Sequence, residues 1–203
     1  SFLSCILMHA TAAQDWTAYH GDKAASHYSP LEQIHRQNVA KLEPAWIFRT
    51  ERTGTLQCNP LIFKGNVYLV DQDLRLHALE GRTGKLIWTF SAPKTSRGIQ
   101  RGLAHWQDRI FISVGHHLYA VSIETGEAIP SFGVNGRIDL RHDLDVDPQI
   151  FPVSLRTPGI VYKDMLIVGS NPGEGPQLTA PGHIRAFDVR TGKRLWIFHT
   201  IPH

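Results

Sequence analysis

Short apolar stretches separated by turn residues recur along most of this chain. Around residues 60–90 each stretch is four or five residues long, and glycine, aspartate or asparagine lies between successive stretches. Apolar runs of this length with such boundaries are typical of β-strands. This region therefore predicts a four-stranded antiparallel unit, with strands at Pro60–Phe63, Val67–Val70, Arg75–Leu79 and Leu86–Phe90.

The last hairpin of that unit is repeated along the chain. Three segments, His77–Phe90, Tyr119–Phe132 and Arg185–Phe198, share an alanine, a Thr-Gly pair and a final phenylalanine. Glycine adopts positive φ at little steric cost, so each Thr-Gly pair predicts a hairpin turn. The pairs stand at 83–84, 125–126 and 191–192, which are 42 and then 66 residues apart. A period near forty residues with four strands in each repeat is typical of β-propeller blades.

The second repeat contains its own strand pattern and then a longer interval. Strands are expected at Arg109–Val114, His117–Val121 and Ala128–Phe132. The last of them is weak, because Pro130 cannot donate to a strand ladder. Residues 133–155 show no strong period and predict a long loop, which accounts for the wider second spacing.

A third unit is predicted from residues 157–170 together with 183–198, and a strand near Ala45–Arg49 is expected before the first unit. A short turn or helical segment at Asn38-Val39 precedes that strand. The fold class is therefore all-β, a partial propeller of about three four-stranded blades. Propellers close with four to eight blades, so we expect this chain to be part of a longer protein.

The first thirteen residues differ in character from the rest. They form a short apolar run followed by small residues before Gln14, which predicts the remnant of a secretory signal peptide over residues 1–13 and a propeller domain over 14–203. The alternative is a buried N-terminal strand. If the leader interpretation holds, Cys5 is removed in processing, Cys58 remains as a single free thiol, and the protein is exported.

Charge and histidine content narrow the function classes. The net charge is +3 and the basic residues are scattered, so no nucleic-acid partner is expected. The chain has twelve histidines and no C-x-x-C spacing. Strand alternation is expected to direct His116 and His117 to opposite faces, so the sequence predicts no histidine metal site.

Six motifs follow one another along the chain. They are W-x-x-Y-x-G-D from Trp16, Y-S-P-L-x-Q-I from Tyr28, N-V-x-x-L-x-x-A-W from Asn38, Q-C-x-P-L from Gln57, R-G-L-A-x-W from Arg101, and the run PGHIRAFDVRTGKRLW ending at Trp196. Together they resemble the motifs of pyrroloquinoline-quinone-dependent dehydrogenases, above all the quinoprotein glucose dehydrogenase group, and the resemblance extends from about Asp15 to the last residue of the sequence.

This resemblance implies an eight-bladed propeller that transfers a hydride from a sugar, polyol or cyclic alcohol to pyrroloquinoline quinone, with Ca²⁺ polarising the quinone. It also implies a periplasmic protein that passes electrons to a respiratory quinone or cytochrome, with attachment to the inner membrane by other segments as an open alternative. Tryptophans of the repeats lock neighbouring blades in this family. Trp88 and Trp196 match that position, Trp46 is expected to act similarly, and the middle repeat has Pro130 instead.

The resemblance also implies a set of cofactor residues. Gln57, Arg101 and Thr157 match positions that bind the cofactor in the family, and a guanidinium suits its planar carboxylates. Their ordinary alternatives are a solvent-facing strand residue, a surface charge and a turn cap. His105 and Trp106 match positions near the substrate entrance, and alternation is expected to direct one of them toward the propeller axis.

Glu174 matches the calcium-ligating glutamate of alcohol-oxidising relatives, although a solvated loop glutamate is the alternative. Those relatives also carry adjacent cysteines where Thr95-Ser96 stand here, which argues against that branch. The catalytic aspartate of the family is expected in later blades, so this portion by itself is expected to be inactive. A non-catalytic scaffold of the kind that assists outer-membrane assembly, or a sugar-binding propeller, remains the alternative.

Overall fold

The computed structural model describes residues 14–22, 24–93, 98–144, 146–147, 149–171 and 179–200. The predicted leader and Cys5 lie outside these residues. Within them, no helix is both long and apolar enough to cross a membrane. One short 3₁₀ helix, Val39–Lys41, lies where a turn or helical segment was expected.

The described residues form three antiparallel sheets of four strands, and each sheet uses consecutive strands. We call them blade 1 (β1–β4), blade 2 (β5–β8) and blade 3 (β9–β12). The prediction of an all-β partial propeller is confirmed. The strands are β1 Leu61–Phe63, β2 Asn66–Val70, β3 Leu76–Glu80, β4 Leu86–Phe90, β5 Ala104–Trp106, β6 Arg109–Val114, β7 His117–Ser122, β8 Arg137–Asp139, β9 Ile160–Tyr162, β10 Met165–Val168, β11 Ile184–Asp188 and β12 Arg194–Phe198.

The blades stack face to face through two apolar cores. Alternation along β6 sends Ile110 and Ile112 into the core shared with blade 1 and Phe111 into the core shared with blade 3. All six residues of β6 are buried. Blade 2 is therefore covered on both faces, as the middle member of a radial stack should be.

Indole rings pack against the Thr-Gly turns of the first two repeats. Trp46 Nε1 donates to the carbonyl of Gly81 at 2.9 Å, and Trp88 Nε1 donates to the carbonyl of Ile123 at 3.0 Å. The two rings lie directly against Gly84 and Gly126, the turn glycines, where a Cβ atom would have no space. The predicted locking role of Trp46 and Trp88 thus has a definite partner, the turn glycine of the following repeat.

The fourth strand of blade 2 lies elsewhere than predicted. Ala128 makes only an isolated bridge to Val121, and the strand resumes as β8, within the segment that was predicted to be a loop. Pro130 lacks an N–H, and the chain leaves the ladder as a turn in which Phe132 N donates to Ile129 O at 3.0 Å. The prediction of a strand over 128–132 was therefore wrong.

This detour supplies the contact that the missing tryptophan would have made. At Gly192, the turn glycine of the third repeat, a Cβ would meet Ile138 Cγ2 at 2.7 Å and Phe132 Cε2 at 3.3 Å. Gly133 N also donates to Thr191 O at 2.8 Å. The side chains of Phe132 and Ile138 therefore fill the place taken by an indole at the other two turns.

The strand predicted at Ala45–Arg49 is not formed. No strand partner pairs with these residues among those described, and extended chain without a paired neighbour is not a strand. The segment is still anchored, because Trp46 binds at the first turn and the ring of Phe48 lies 5.2 Å from that of His77.

A buried carboxylate organises the β2–β3 connection in blade 1. Asp71 Oδ2 accepts from Arg75 Nε at 2.8 Å and contacts His77 Nε2 at 2.9 Å, while Asp71 Oδ1 accepts from two backbone N–H groups. Burial pushes the pKa of Asp71 upward, but the hydrogen bonds from His77 and Arg75 outweigh it and the net pKa is lowered. The ionised carboxylate is thus part of the folded structure.

Replacing Gly126 with alanine should destabilise the fold more than the same change at Gly115. Both glycines have positive φ, +74° and +62°, so each variant carries a left-handed cost of about 1–2 kcal/mol. Only at Gly126 would the new Cβ lie 2.6 Å from the Trp88 ring, while nothing lies within 4 Å at Gly115. We expect about 1–3 kcal/mol of extra loss for Gly126→Ala in urea unfolding. Equal losses would show that the indole contact does not constrain this turn.

Asp71→Asn should lower the free energy of unfolding by about 3 kcal/mol at neutral pH, because it removes the buried charge that pairs with Arg75 and leaves only the exposed Glu51 and the more distant Asp73 beside that guanidinium. Glu51→Gln is the matched control, since Glu51 pairs with the same Arg75 at 2.8 Å but is exposed; its cost should stay below about 1 kcal/mol. The folded pKa of Asp71 is lowered from 3.8, so its contribution is present above that value and is lost as pH falls. The difference in free energy of unfolding between wild type and Asp71→Asn should therefore become smaller below about pH 4. If this difference stayed the same below about pH 4, the stabilising role of the ionised carboxylate would be contradicted.

Candidate functional site

A cavity of about 800 Å³ follows the inner strands of blades 2 and 3. The N-terminal segment closes one of its sides, and Trp16 holds that segment against blade 1 through paired backbone hydrogen bonds to Ile62 of 2.7 and 2.9 Å. Four of the residues predicted for the site line the cavity. They are Arg101, His105, Trp106 and Thr157.

The segments that lead into the three inner strands are joined by backbone hydrogen bonds. Asn59 N donates to Arg101 O at 3.0 Å, and Arg101 N donates to Arg156 O at 2.9 Å. Gln57 lies two residues before Asn59, and Thr157 follows Arg156 directly. The three predicted cofactor residues therefore lie on neighbouring backbone segments that lead into three blades, although Gln57 is not among the residues that line the cavity.

The side chains at this end are available for a ligand. Gln57, Arg101 and Thr157 are all exposed, and no ion pair involves Arg101 within the described part of the chain. A guanidinium, a hydroxyl and an amide are all hydrogen-bond donors to carboxylates. These residues thus fit a planar guest that carries several carboxylates.

A buried polar contact fixes the backbone beneath Arg101. Gln100 is buried, its Nε2 donates to Ser113 Oγ at 2.8 Å, and its Oε1 accepts from Arg101 N at 3.1 Å. Ser113 Oγ in turn donates to the carbonyl of Leu155. Sequence reasoning missed this link between blades 2 and 3, although a single serine within the apolar strand RIFISV was a usable signal.

The glycine after Arg101 serves the N-terminal segment. A Cβ at Gly102 would lie 3.0 Å from Tyr19 Cδ2 and 3.5 Å from Pro158 Cγ. The structure explains the pairing of the R-G-L-A and W-x-x-Y motifs, because the tyrosine ring occupies the space beside the glycine.

His105 and Trp106 both line the cavity, whereas alternation predicted that one would face the axis. The His105 ring lies 4.5 Å from that of Phe63, and burial lowers the His105 pKa. The Trp106 ring lies between the guanidinium groups of Arg109 and Arg190, at 5.3 and 4.8 Å. Trp106 therefore also joins blade 2 to blade 3, and a substrate-entrance role for either residue stays a prediction.

The predicted calcium ligand Glu174 lies outside the described residues, as do Thr95 and Ser96. One carboxylate among the described lining residues is Asp22. Its oxygens accept hydrogen bonds from Ser26 and from the N–H of Ala24, and these contacts lower its pKa. Asp22 is thus engaged in a local turn, and its geometry does not mark it as a proton-accepting base.

The three stacked blades, the indole locks and the cavity along the inner strands define part of a β-propeller. Residues 16–203 match the family model described as PQQ: Glucose/ethanol/alcohol dehydrogenase, beta-propeller domain. The chain belongs to this family, which confirms the resemblance seen in its motifs.

Similar proteins come from both the glucose and the alcohol dehydrogenases. Quinoprotein glucose dehydrogenase A of Acinetobacter calcoaceticus is 30% identical over 93% of this chain and 28% of its own length. Quinohemoprotein alcohol dehydrogenase of Comamonas testosteroni is 27% identical over 97% of this chain and 27% of its own length. The crystal structure of that enzyme has a TM-score of 0.79 at 26% identity, over 95% of this chain and 28% of the solved one. The chain thus spans little more than a quarter of these relatives.

Gln100→Met should lower the free energy of unfolding by about 1–2 kcal/mol, because the variant keeps the side-chain volume but removes both hydrogen bonds of a buried amide. Gln107→Met is the control, since Gln107 is exposed and its change should stay within about 0.5 kcal/mol. Thermal or urea unfolding of the two variants measures the difference. Similar decreases in the free energy of unfolding of both variants would contradict a stabilising role for the Gln100 hydrogen bonds.

Proposed function

We propose that the protein containing this propeller oxidises a sugar, polyol or cyclic alcohol with pyrroloquinoline quinone as hydride acceptor. The observation that carries the proposal is the convergence of Gln57, Arg101 and Thr157 on adjacent leading segments, joined through Asn59, Arg101 and Arg156. Membership of the family supports the cofactor class. The glucose and alcohol dehydrogenase relatives support an alcohol group as the site of oxidation.

In this proposal the residues of the chain bind and orient the cofactor. The Arg101 guanidinium pairs with a cofactor carboxylate, and Gln57 and Thr157 donate hydrogen bonds from the neighbouring blades. Gln100 holds the Arg101 backbone in place, which fixes the origin of the guanidinium. Trp106 and His105 form the wall of the cavity farther along the inner strand.

The bound quinone supplies an acceptor for the hydride that leaves the alcohol carbon. The hydroxyl proton passes to a general base, and the substrate becomes a carbonyl compound two electrons more oxidised. We place that base in blades beyond those described here, because Asp22 is already held in its turn. This portion alone is accordingly proposed to be inactive.

Calcium, substrate and location complete the proposal. We assign Ca²⁺ to the quinone site with Glu174 as a ligand, because a hard cation takes carboxylate oxygens. Thr95-Ser96 in place of adjacent cysteines favours sugar or polyol substrates over simple alcohols. The apolar start of the chain supports export to the periplasm, where a respiratory quinone or cytochrome would accept the electrons.

Reconstitution of the full-length protein tests this function. The protein is purified without cofactor, supplied with pyrroloquinoline quinone and Ca²⁺, and assayed for dye reduction with glucose, quinate and ethanol. We expect cofactor-dependent reduction with a sugar or cyclic alcohol and a higher melting temperature. An absence of both reduction and melting shift would favour the alternative, a non-catalytic propeller scaffold.

Arg101→Ala should weaken cofactor binding roughly 10- to 100-fold, because a charge-assisted hydrogen bond contributes about 1.5–3 kcal/mol. Arg101→Lys should bind the cofactor more weakly than wild type and more tightly than Arg101→Ala, because lysine keeps the positive charge but lacks the planar, two-pronged guanidinium. Arg82→Ala is the control, because Arg82 is an exposed arginine at a Thr-Gly turn, away from the leading segments. Cofactor titration followed by tryptophan fluorescence measures all three. Equal affinity in Arg101→Ala and Arg82→Ala would contradict the assignment.

A further inference from the structure

Two neighbouring histidines lie together at the end of blade 2, contrary to the sequence prediction. The ring centroids of His116 and His117 are 4.2 Å apart. His116 belongs to the β6–β7 turn, beside Gly115 at a φ of +62°, and only His117 is part of the strand. The alternation rule that predicted opposite faces therefore does not apply to this pair.

A carboxylate from the next strand joins the pair. His117 lies directly opposite Asp139 in the β7–β8 register, and Leu140 N donates to His116 O at 2.8 Å. One donor atom from each of His116, His117 and Asp139 lies within 4.8 Å of the other two. Two ligand atoms bound to one zinc ion are roughly 3.3 Å apart, because each bond is about 2 Å long. A modest rotation of the three side chains would bring their donor atoms to that distance.

We propose that His116, His117 and Asp139 bind a divalent transition-metal ion of the Zn²⁺ or Cu²⁺ class. Two imidazole nitrogens and one carboxylate oxygen form a ligand set that suits zinc, copper and nickel, whereas Ca²⁺ takes oxygen ligands. The site is therefore chemically distinct from the calcium position proposed at the quinone. It does not depend on the proposed oxidation.

The protonation states favour binding. Burial, together with His116, Arg137 and Arg141, lowers the pKa of His117 against the opposing effect of Asp139, which favours the neutral, ligating imidazole. Burial raises the pKa of Asp139, but the hydrogen bonds from Arg141 outweigh it and lower that pKa to about 2. The carboxylate is thus ionised at neutral pH.

Arg141 competes with a metal ion for the Asp139 carboxylate and also holds that carboxylate in position. Its Nη2 donates to Asp139 Oδ2 at 2.6 Å, its backbone N donates to Oδ1 at 3.0 Å, and its Nε donates to Oδ1 at 3.0 Å with a longer contact of 3.2 Å to Oδ2. A carboxylate has about four lone-pair positions, so these three donors leave one position for a metal while the arginine orients the group. The nearby positive charges of Arg137 and Arg141 reduce the affinity, and we expect binding in the micromolar range instead of permanent retention.

Other groups could complete the coordination. His142 Nε2 lies 3.8 Å from Asp139 Oδ2, and its side chain is largely exposed. His116 and Arg141 also line a cavity of about 550 Å³, which has room for water or a small anion as a further ligand. A metal here would tie the β6–β7 turn to the outermost strand of blade 2.

Metal titration of the full-length protein tests the site. With excess Ca²⁺ present, Zn²⁺ titrated by calorimetry should bind at one site per chain, and Cu²⁺ should give an electron paramagnetic resonance spectrum with coupling to two nitrogens. His117→Gln should reduce the coupling to one nitrogen and weaken Zn²⁺ binding at least tenfold. His116→Gln/His117→Gln should abolish binding at this site. Melting curves in EDTA establish that each variant is folded.

His27→Gln is the matched control, because the His27 ring lies 4.4 Å from that of His20 and neither belongs to the three-residue cluster. The Zn²⁺ affinity of His27→Gln should equal that of wild type. Asp139→Asn, expected to lower affinity while keeping both nitrogens in the copper spectrum, separates the carboxylate from the imidazoles. Absence of Zn²⁺ binding in wild type, or binding unchanged in the folded double variant, would overturn the proposal.

Discussion

The structure depends on burial of apolar surface between adjacent blades. A four-stranded blade has two apolar faces and can bury both only when a neighbour covers each, as in blade 2. At the periphery, Trp46 and Trp88 bind against the turn glycines of the next repeat. Near the axis, the Asn59–Arg101–Arg156 backbone contacts join the inner segments. The contacts at the periphery and those near the axis together fix the position of each blade relative to the next.

This arrangement frees side chains at the axis for chemistry. Among the described residues, the inter-blade hydrogen bonds beside Arg101 are made by backbone atoms and by buried Gln100, and none of them uses the arginine side chain. The same separation holds for Gln57 and Thr157, which are exposed on joined segments. The fold thus supplies rigid positions from three blades, and the identity of the exposed side chains determines which ligand they suit.

The sequence predicted what local patterns encode and failed where distant partners decide. Thr-Gly turns and strand alternation were sufficient for three blades. Pro130 showed that a strand was weak, but where pairing resumes depends on β7, so β8 at Arg137–Asp139 could not be predicted. The contact between Gly102 and Tyr19 was not predicted, because the two residues are far apart in the sequence. The proximity of His116 to His117 depended on where a turn ends and a strand begins.

Residues 140–142, which directly follow β8, are part of the interface between blades 2 and 3, because a buried arginine of blade 3 binds their carbonyl groups. Arg185 in β11 is almost inaccessible to solvent, and its Nη1 donates to the carbonyls of Leu140 and His142 at 2.8 and 3.1 Å. Burial lowers its pKa to about 10, yet it remains charged at neutral pH. A charge so enclosed must keep its acceptors, since leaving it unpaired would be costly. Blade 3 therefore fixes the residues that follow Asp139, and the position of the His116, His117 and Asp139 cluster is set from both sides of the interface.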